Sequence, residues 1–492
     1  MASKVKFNFI YNLIYHIFII IVPLITTPYV SRTLGKSGIG DYAFAFSIAH
    51  YFSLFIKLGL NNYGNRTIAY SRGNKQKMSS DFWNIYCFQF LVSIVVVSAY
   101  LFYCFFLSSN LQISLLFIFY IVSSGIDITW FFWGLEEFKI TVTRSIIIKI
   151  LSTIAIFAFV HDKSDTLVYT FILVVGTFGS QAFLWPRLFR YVKFVKPTKK
   201  EVVKHIKPNL LLFLPAIAVS FYKIMDKIML GILSTKSEVG LYESSEKVLQ
   251  IPMAIIESLG TVMQPRMSNL VSQNADKNYM RDVLKKSIIV IMFFSTALGF
   301  GIMAVADEFV PIFYGEGFEK CALLFKILIP SCIFLAFTNV FKTQYLLPQK
   351  KDKEYIVALF TGAAVNTVVN LILIPRTKSA GAAIGTLLAE ISVCIVIAHI
   401  VNKESRVLIY FSQAIPFVLS GLVMYISGEF IVFNFDSDFY SLALKVIVCG
   451  TIYIVTLVSL LFIGDKMFNN NSIKDVLKLS TSLIKGNNKK KT

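Results

Sequence analysis

Charged side chains inside apolar segments are the residues of this chain whose types and spacing could do chemistry. Lys223, Asp226 and Lys227 follow one another at positions i, i+3 and i+4 and therefore share one helical face. An ionisable group inside a membrane is costly, and it is normally paired or functional. Two interpretations stay open: an internally neutralised cluster, or a cationic wall that binds an anion such as a pyrophosphate, with Asp226 holding a lysine in place.

Other polar residues in apolar segments extend this candidate site. The further candidates for binding an anion or a glycan are Lys57, Lys247, Lys326, Asn366 and Asn370. The candidates for orienting or gating, besides Asp226, are Arg32, Asp41, Arg66, Asp127, Glu257 and Arg266. The two asparagines are spaced i, i+4, which suits hydrogen bonds to sugar hydroxyls and suits packing between helices equally well. Charged residues near the end of a span, such as Lys149 and Lys342, can instead extend to the membrane surface.

The elements that position these residues are predicted to be membrane-spanning helices. The chain has 492 residues, of which 56% are hydrophobic and 15% charged, and its mean hydropathy is +0.67. A soluble protein carries about 25% charged residues. Apolar runs of about 20 residues suit helices that cross a bilayer. Because the runs are continuously apolar, without the alternation of a β-barrel, the predicted fold is an all-α polytopic membrane protein of about 14 transmembrane helices.

The distribution of Lys and Arg predicts the orientation. With the N-terminus in the cytoplasm, the inner segments hold 33 of these residues and the outer loops only 7. That bias matches the positive-inside rule and predicts a multi-pass protein of the cytoplasmic membrane with both termini in the cytoplasm. The net charge of +20 is then explained by topology and by attraction to anionic membrane lipids, and it does not indicate a nucleic-acid partner.

An internal duplication is the most specific signal in the sequence. Residues 36–42 read KSGIGDY and residues 236–242 read KSEVGLY, and at this offset of 200 there are eight identities in the 42 positions from 36 to 77. Both copies fall in predicted outer turns, six spans apart, which predicts two parallel six-helix repeats around a central cleft. The same offset pairs Lys57 with Glu257, and we hypothesise that these two residues close one side of the cleft in one state.

The duplication also predicts the organisation of the chain. The predicted parts are an N-terminal six-helix bundle (1–190), a basic cytoplasmic linker (191–208), a C-terminal six-helix bundle (209–402), two extra transmembrane helices (403–464) and a cytoplasmic tail (465–492). The predicted outer loops are all short, so they leave no room for an extracytoplasmic domain with an active site.

Signatures of catalysis and of metal binding do not occur in the sequence. There is no phosphate-binding Gly-rich loop with a lysine, no nucleophile elbow and no zinc motif, and the six cysteines are scattered without a CxxC pair. We therefore expect no enzymatic activity, no catalytic residues, no metal and no cofactor. Energy would come from a coupling ion, H⁺ or Na⁺, or from the gradient of the cargo.

Four motifs resemble the polysaccharide transporter family, the Wzx-type O-antigen and capsule repeat-unit flippases of the multidrug/oligosaccharidyl-lipid/polysaccharide exporter superfamily. They are SRTLG to GDY at 31–42, DITWFFWGLE at 127–136, DKIMLG at 226–231 and the Pro-Arg pair at 265–266. The family often has Gln where this chain has Trp133, which could alter the cleft mouth. The resemblance implies two six-helix bundles with two extra helices. It also implies transport of an undecaprenyl-pyrophosphate-linked repeat unit to the outer leaflet by alternating access. Expected partners are this lipid-linked oligosaccharide and the polymerase and chain-length regulator of the same pathway.

Three alternatives remain at this point. A cation-coupled multidrug exporter of the same superfamily would share the duplication, but it usually uses acidic cleft residues for cationic drugs, whereas the lysines here favour an anionic cargo. A polysaccharide polymerase or membrane glycosyltransferase would usually need a sizeable outer loop or an acidic catalytic cluster. A lipid II or teichuronic-type flippase is close enough that the sequence separates it poorly.

Overall fold

The computed structural model describes residues 2–403, 407–433 and 435–468, and this part of the chain is helical without any strand. The helices are α1 Ala2–Lys57, α2 Leu60–Ser71, α3 Lys75–Phe106, α4 Leu111–Gly125, α5 Thr129–Gly134, α6 Phe138–Phe159, α7 Thr166–Ala182, α8 Trp185–Leu188, α9 Lys199–Leu233, α10 Lys236–Ser272, α11 Lys277–Ala304, α12 Ala306–Tyr314, α13 Lys320–Leu328, α14 Ser331–Phe341, α15 Asp352–Thr377, α16 Ser379–Asn402, α17 Val407–Phe430 and α18 Asp438–Phe468. The predicted all-α class is confirmed. The predicted tail lies, from residue 469 onward, outside the described residues.

The lengths of the helices agree with the predicted number of spans. Eleven helical segments of the described residues are long and apolar enough to cross a membrane. The first, Ile21–Ser71, has 51 residues, whereas one span needs about 20, so it holds two predicted spans. The more strongly charged α9 and α10 have 35 and 37 residues and contain the predicted seventh and eighth spans. The lengths and apolar character of these helices are therefore consistent with about fourteen spans.

The chain divides into two compact units, Met1–Glu243 and Ser244–Thr492. This limit falls inside α10 and not in the predicted linker 191–208. The limits predicted for the two bundles, and the cleft between them, stay predictions.

Two apolar clusters hold the first unit together. One joins α1, α3, α4 and α7 around the buried side chains of Tyr100, Phe117 and Val174. The other joins α2, α3, α5 and α8 around Phe82 and Trp130, which stack with ring centroids 5.5 Å apart. Two polar residues described below lie where the chain passes from one cluster to the other: Lys57 at the end of α1 and Asp127 between α4 and α5.

The predicted linker forms hydrogen bonds with α3 of the first unit. The backbone N–H of Lys193 donates to the Ser79 hydroxyl at 3.1 Å, and the N–H of Thr198 donates to the Asn84 amide oxygen at 3.1 Å. The Trp83 indole donates to the Lys193 carbonyl at 3.0 Å. These contacts fix the basic segment on α3, and α9 then begins at Lys199.

Small residues allow close helix packing in the second unit. In α16, a Cβ added at Gly385 would lie 2.1 Å from the Asn370 Oδ1 atom of α15. In α17, a Cβ at Gly421 would lie 2.2 Å from the Phe300 ring of α11. Tyr453 of α18 shares a hydrogen bond of 2.8 Å with Thr296 of α11. The two C-terminal helices are thus packed on α11.

The duplication is visible in the helices, with one clear difference between the copies. In the first copy, α1 turns at Gly35, whose φ of 66° favours glycine, and the chain breaks again at Leu58, with φ 44°, before α2. In the second copy, the equivalent of Gly35 is Thr235, which lies in the break between α9 and α10, whereas α10 is continuous through residue 258, the equivalent of Leu58. The next helix starts at Lys75 in one copy and Lys277 in the other, capped by Asn74 and Asp276 respectively.

Candidate functional site

A buried ion pair lies at the centre of the candidate site in the first unit. Lys57, in the last turn of α1, contacts Asp127 with 2.9 Å between Nζ and Oδ2. The Asp127 side chain is 8% exposed, whereas that of Lys57 is 30% exposed. The lysine is therefore partly exposed, while the carboxylate is enclosed. Two of the residues predicted from sequence are thus brought together.

The position of Asp127 is fixed by its neighbours in the break between α4 and α5. The Thr129 N–H donates to Asp127 Oδ1 at 2.9 Å. The Gln89 side-chain amide donates to the backbone carbonyls of Ser124 and Asp127 at 2.9 and 3.0 Å. Gln89 itself accepts a hydrogen bond from the Trp130 indole at 3.2 Å. The predicted motif that starts at Asp127 and continues into the aromatic run therefore builds a rigid support for one carboxylate.

Arg144 is a second cation of this site that the sequence analysis missed. It lies in α6 and is buried, and its guanidinium donates to Gln181 Oε1 at 3.0 Å. Thr129 donates to the same oxygen at 3.3 Å. Hydropathy alone predicts a cytoplasmic loop at Arg144, because the apolar run begins at residue 146. The helix begins at Phe138, two turns earlier, and that extension places the arginine inside the unit.

Aromatic and imidazole groups complete this region, which we call the N-terminal polar cluster: Lys57, Asp127, Arg144, Gln181, His50 and Tyr120. His50 Nδ1 and the Tyr120 hydroxyl are 3.1 Å apart. Lys57 interacts electrostatically with Tyr120, Asp127 and Arg144. The cluster contains two cations, Lys57 and Arg144, and arginine is a strong ligand for anions.

The residues in α9 are paired with the start of α10. Asp226 accepts a hydrogen bond from the Tyr242 hydroxyl at 2.7 Å, and Lys227 pairs with Glu243 at 2.7 Å. The interpretation as a neutralised cluster therefore describes Lys227 well, and the carboxylate that holds it is Glu243. The side chain of Lys223 lies outside the described part of the chain. The binding roles predicted for Lys223 and Lys227 stay predictions.

The two copies of the outer turn contact each other. A Cβ added at Gly40 would lie 1.7 Å from the Lys236 carbonyl oxygen, and one added at Gly240 would lie 1.9 Å from the Lys36 carbonyl oxygen. Only glycine allows backbones to approach so closely. The Lys236 ammonium group donates to the Gly231 carbonyl at 3.1 Å, lies over the Phe44 ring and interacts electrostatically with Asp41. This reciprocal contact explains why glycine occupies both equivalent positions.

Lys326, predicted to bind cargo, lies in an ion-pair network of the second unit. Its Nζ is 2.8 Å from Asp307 and 2.8 Å from Glu429, and it connects α12, α13 and α17. A similar pair joins Lys445 of α18 to Glu308 of α12. The network holds the C-terminal helices to the rest of the unit, and the binding role of Lys326 stays a prediction.

The remaining predicted residues lie apart from the polar cluster. Asn366 and Asn370 are buried in α15, with Asn370 Nδ2 donating to Asn366 Oδ1 at 3.2 Å. Both lie against Gly385 of α16, where a Cβ would be 2.1 Å from Asn370 Oδ1, which indicates packing between the two helices. Glu257 is exposed and interacts electrostatically with Lys342 of its own unit. The hypothesised contact between Lys57 and Glu257 stays a prediction. Arg32, Arg66 and Arg266 are exposed, and Lys247 is half-buried.

The long apolar helices of the described residues, with ion-paired side chains inside them, define a multi-pass membrane protein. One family model, described as polysaccharide biosynthesis protein, matches residues 5–271, and a second, described as lipid II flippase MurJ, matches residues 140–447. The chain belongs to the polysaccharide biosynthesis protein family, within the superfamily that the sequence motifs indicated. The resemblance noted from the sequence is therefore confirmed.

Individual relatives agree with this assignment. The chain is 24% identical over 379 residues, covering 75% of this chain and 90% of the relative, to a protein of Escherichia coli (strain K12) named "Putative O-antigen transporter". It is 27% identical over 204 residues, covering 42% of this chain and 43% of the relative, to "Probable low-salt glycan biosynthesis flippase Agl15" of Haloferax volcanii. Among solved structures, lipid II flippase MurJ in an inward closed conformation superposes with a TM-score of 0.75 at 14% identity, covering 94% of this chain and 100% of MurJ. At that identity the likeness shows the fold alone.

Proposed function

We propose that this protein moves an undecaprenyl-pyrophosphate-linked oligosaccharide from the cytoplasmic to the outer leaflet, for the synthesis of a surface polysaccharide such as capsule or O-antigen. The names of the relatives and the match to the MurJ family model support a flippase. The observation that carries the proposal is the N-terminal polar cluster, in which Lys57 pairs with Asp127 and the buried Arg144 is held by Gln181.

The cluster gives the pyrophosphate a binding site within the membrane. Asp127 neutralises Lys57 when no cargo is bound, which makes the cation tolerable inside an apolar unit. A pyrophosphate would compete for Lys57 and add hydrogen bonds from Arg144, which presents a planar fork of donors to phosphate oxygens. The prenyl tail would stay in the lipid, because only the polar head needs a water-filled path.

The contact between Gly40 and Gly240 supports alternating access. In this proposal it is a gate at the outer end of the helices, closed while cargo is loaded from the cytoplasm. The close contact itself is made by backbone atoms, and the charges beside it, Lys236 and Asp41, interact with each other. The gate and the polar cluster are connected along α1, which carries both Gly40 and Lys57.

The remaining features of the proposal follow from the charge distribution. Both termini lie in the cytoplasm, in accordance with the excess of Lys and Arg in the inner segments. Transport is driven by an H⁺ or Na⁺ gradient or by the cargo gradient itself. The polymerase and the chain-length regulator of the pathway act on the product in the outer leaflet, and this chain performs no chemistry on it.

Deletion of the gene, followed by analysis of lipid-linked intermediates in spheroplasts, tests the proposal. The expected result is a single repeat unit on undecaprenyl pyrophosphate that is protected from an externally added glycosidase. Complementation with wild-type protein should restore external cleavage, whereas Lys57→Met combined with Arg144→Gln should not. Single repeat units accessible from outside would indicate a polymerase. Unchanged surface glycan with altered dye efflux would indicate a multidrug exporter.

A further inference from the structure

A cavity of about 970 Å³ opens at the end of the first unit that the charge distribution places outside the membrane. Its walls are the outer end of the first part of α1 and the segment between α6 and α7, and none of the residues of the N-terminal polar cluster lines it. It is large enough for the head of a lipid. The cavity thus lies apart from the site described above.

Cationic side chains line this outer cavity. Arg32 of α1 and Lys163 of the α6–α7 segment lie in its wall together with the carboxylate of Asp162. That carboxylate accepts the backbone N–H of Asp165, and Asp165 in turn accepts the N–H groups of His161 and Asp162 at 2.8 and 2.9 Å. These hydrogen bonds hold the carboxylates in place without removing their charge. Among the residues that line the cavity, two cations, Arg32 and Lys163, stand against one carboxylate, Asp162, and this excess of positive charge favours an anion.

The wall is preorganised by contacts to α1. The Tyr29 hydroxyl donates to the Val160 carbonyl at 2.6 Å, and its ring lies 4.7 Å from that of Phe157. Together with the reciprocal cap formed by Asp162 and Asp165, this contact holds the segment that carries Lys163. A ligand would therefore bind without first ordering a loop, which lowers the entropic cost of binding.

Apolar side chains continue from the cavity along the membrane part of the same helices. On α1, Leu24 and Ile25 are 40% and 57% exposed, and on α6, Phe157 and Phe159 are 39% and 63% exposed. A cationic head site directly above an apolar strip matches an amphiphile with a phosphate head and hydrocarbon tails. A free inorganic ion would make no use of the strip.

We propose that the outer cavity binds the phosphate head of an anionic lipid in the outer leaflet, with its acyl chains along the exposed faces of α1 and α6. The inference needs only a membrane location and does not depend on the proposed cargo. Lys163 also lies beside the turn of α1, since a Cβ at Gly35 would be 3.9 Å from its Cε. A lipid bound here would therefore contact the helix that leads to the Gly40 contact.

Lipid retention by the full-length purified protein tests the inference. The protein is released from nanodiscs of phosphatidylcholine with or without phosphatidylglycerol, and retained lipid is counted by native mass spectrometry. Arg32→Gln with Lys163→Gln should lower phosphatidylglycerol retention by about 25-fold, because each basic side chain at a lipid head contributes about five-fold in affinity. The matched control is Arg376→Gln with Lys378→Gln, an Arg and a Lys at another predicted outer turn, which should retain lipid as the wild type does.

Three outcomes would overturn the inference. They are equal retention in the cavity variant and the wild type, equal loss in the control variant, and full displacement of the lipid by millimolar inorganic phosphate, which would indicate a free anion as the ligand. If the double variant does not fold, an environment-sensitive fluorophore on Ser164→Cys, in a background without the native cysteines, reports directly on the wall. Its emission should shift with phosphatidylglycerol and not with phosphatidylcholine, and an equal response to both lipids contradicts the inference.

Discussion

Gly40 and Gly240 are related by the internal duplication, and each lies against the backbone carbonyl of the lysine that precedes the other by four residues. A Cβ added at either glycine would lie within 2 Å of that oxygen, at 1.7 Å for Gly40 and 1.9 Å for Gly240. Two equivalent residues that make the same contact with each other's segment indicate a local twofold relationship. The two copies thus contact each other at residues 36–40 and 236–240, where their sequences are most alike.

Replacing either glycine by alanine should open this contact. A methyl group forced against a backbone oxygen costs about 1–3 kcal/mol, which shifts an open–closed equilibrium by about 5- to 150-fold. The measurement is labelling of His50→Cys, about 15 Å further along α1, from outside by a membrane-impermeant maleimide, in a background without the native cysteines. Transport is measured separately with His50 intact, because His50 belongs to the N-terminal polar cluster. Labelling should be faster in Gly40→Ala and Gly240→Ala, and transport should fall.

Gly179→Ala provides the matched control, because a Cβ at Gly179 in α7 meets no atom within 4 Å. It is the same chemical change in a helix of the same unit, and it should leave both labelling and transport unchanged. Equal labelling rates in Gly40→Ala and Gly179→Ala would show that the contact is not a gate.

Charge exchange identifies the partner of Lys57. Removing one member of a buried ion pair leaves an uncompensated charge and costs about 3–5 kcal/mol. Lys57→Asp and Asp127→Lys should therefore each lower the melting temperature, and the double exchange should recover part of the loss. The exchange of Lys57 with Glu257 tests the alternative contact hypothesised from the duplication, with transport as the readout.

The exposed pair of Lys286 and Asp282 is the reference for these exchanges. It is 2.6 Å long with both side chains more than 40% exposed, and Asp282→Asn should cost less than about 1 kcal/mol. If Asp127→Lys alone melts like the wild type, the ion pair to Lys57 does not stabilise the unit.

Arg144 should determine affinity for a pyrophosphate head. A hydrogen bond to a charged group is worth about 1.5–3 kcal/mol, so Arg144→Gln should weaken binding by about 10- to 150-fold. The measurement is binding of undecaprenyl pyrophosphate to purified protein by intrinsic fluorescence, compared with undecaprenol, whose affinity should not change. Arg66→Gln, at an exposed position, is the control. An equal loss for both ligands would assign Arg144 a purely structural role.

Lys326 should behave as a structural residue. Its partners Asp307 and Glu429 are 61% and 37% exposed, and partly exposed pairs contribute about 1 kcal/mol. Lys326→Met should therefore lower the melting temperature by a few degrees while leaving the affinity for undecaprenyl pyrophosphate unchanged. Weaker binding at an unchanged melting temperature would instead support the cargo role predicted from the sequence.

The sequence predicted the fold because apolar runs and charge asymmetry act over whole helices. Span number, helical class and the duplication follow from these patterns, and a short motif located Asp127. The partners of the charges could not be predicted in the same way. Periodicity gives the position of Lys57 along α1, but its pairing with Asp127 depends on a contact 70 residues away that only packing fixes.

Arg144 shows why one site residue was missed. Hydropathy identifies only the part of a helix that lies in lipid. The helix α6 begins at Phe138, eight residues before its apolar run begins at residue 146. When Lys and Arg are counted to predict topology, a cation in this N-terminal part of the helix is assigned to the loop. Its burial depends on Gln181 and Thr129, which come from other helices. The start of a helix and the start of its apolar run are therefore separate features, and Arg144 lies between them.

The unequal copies of the duplicated segment have a mechanical consequence. In the second copy, the 37 residues of α10 would extend over about 55 Å as one helix, and the internal prolines Pro252 and Pro265 are the places where such a helix bends. In the first copy, the break at Leu58 separates α1 from α2, so a tilt of one of these helices can be absorbed before it reaches the other. The two duplicated segments therefore differ in stiffness: the first is divided at Leu58, whereas the second is one continuous helix at the equivalent position.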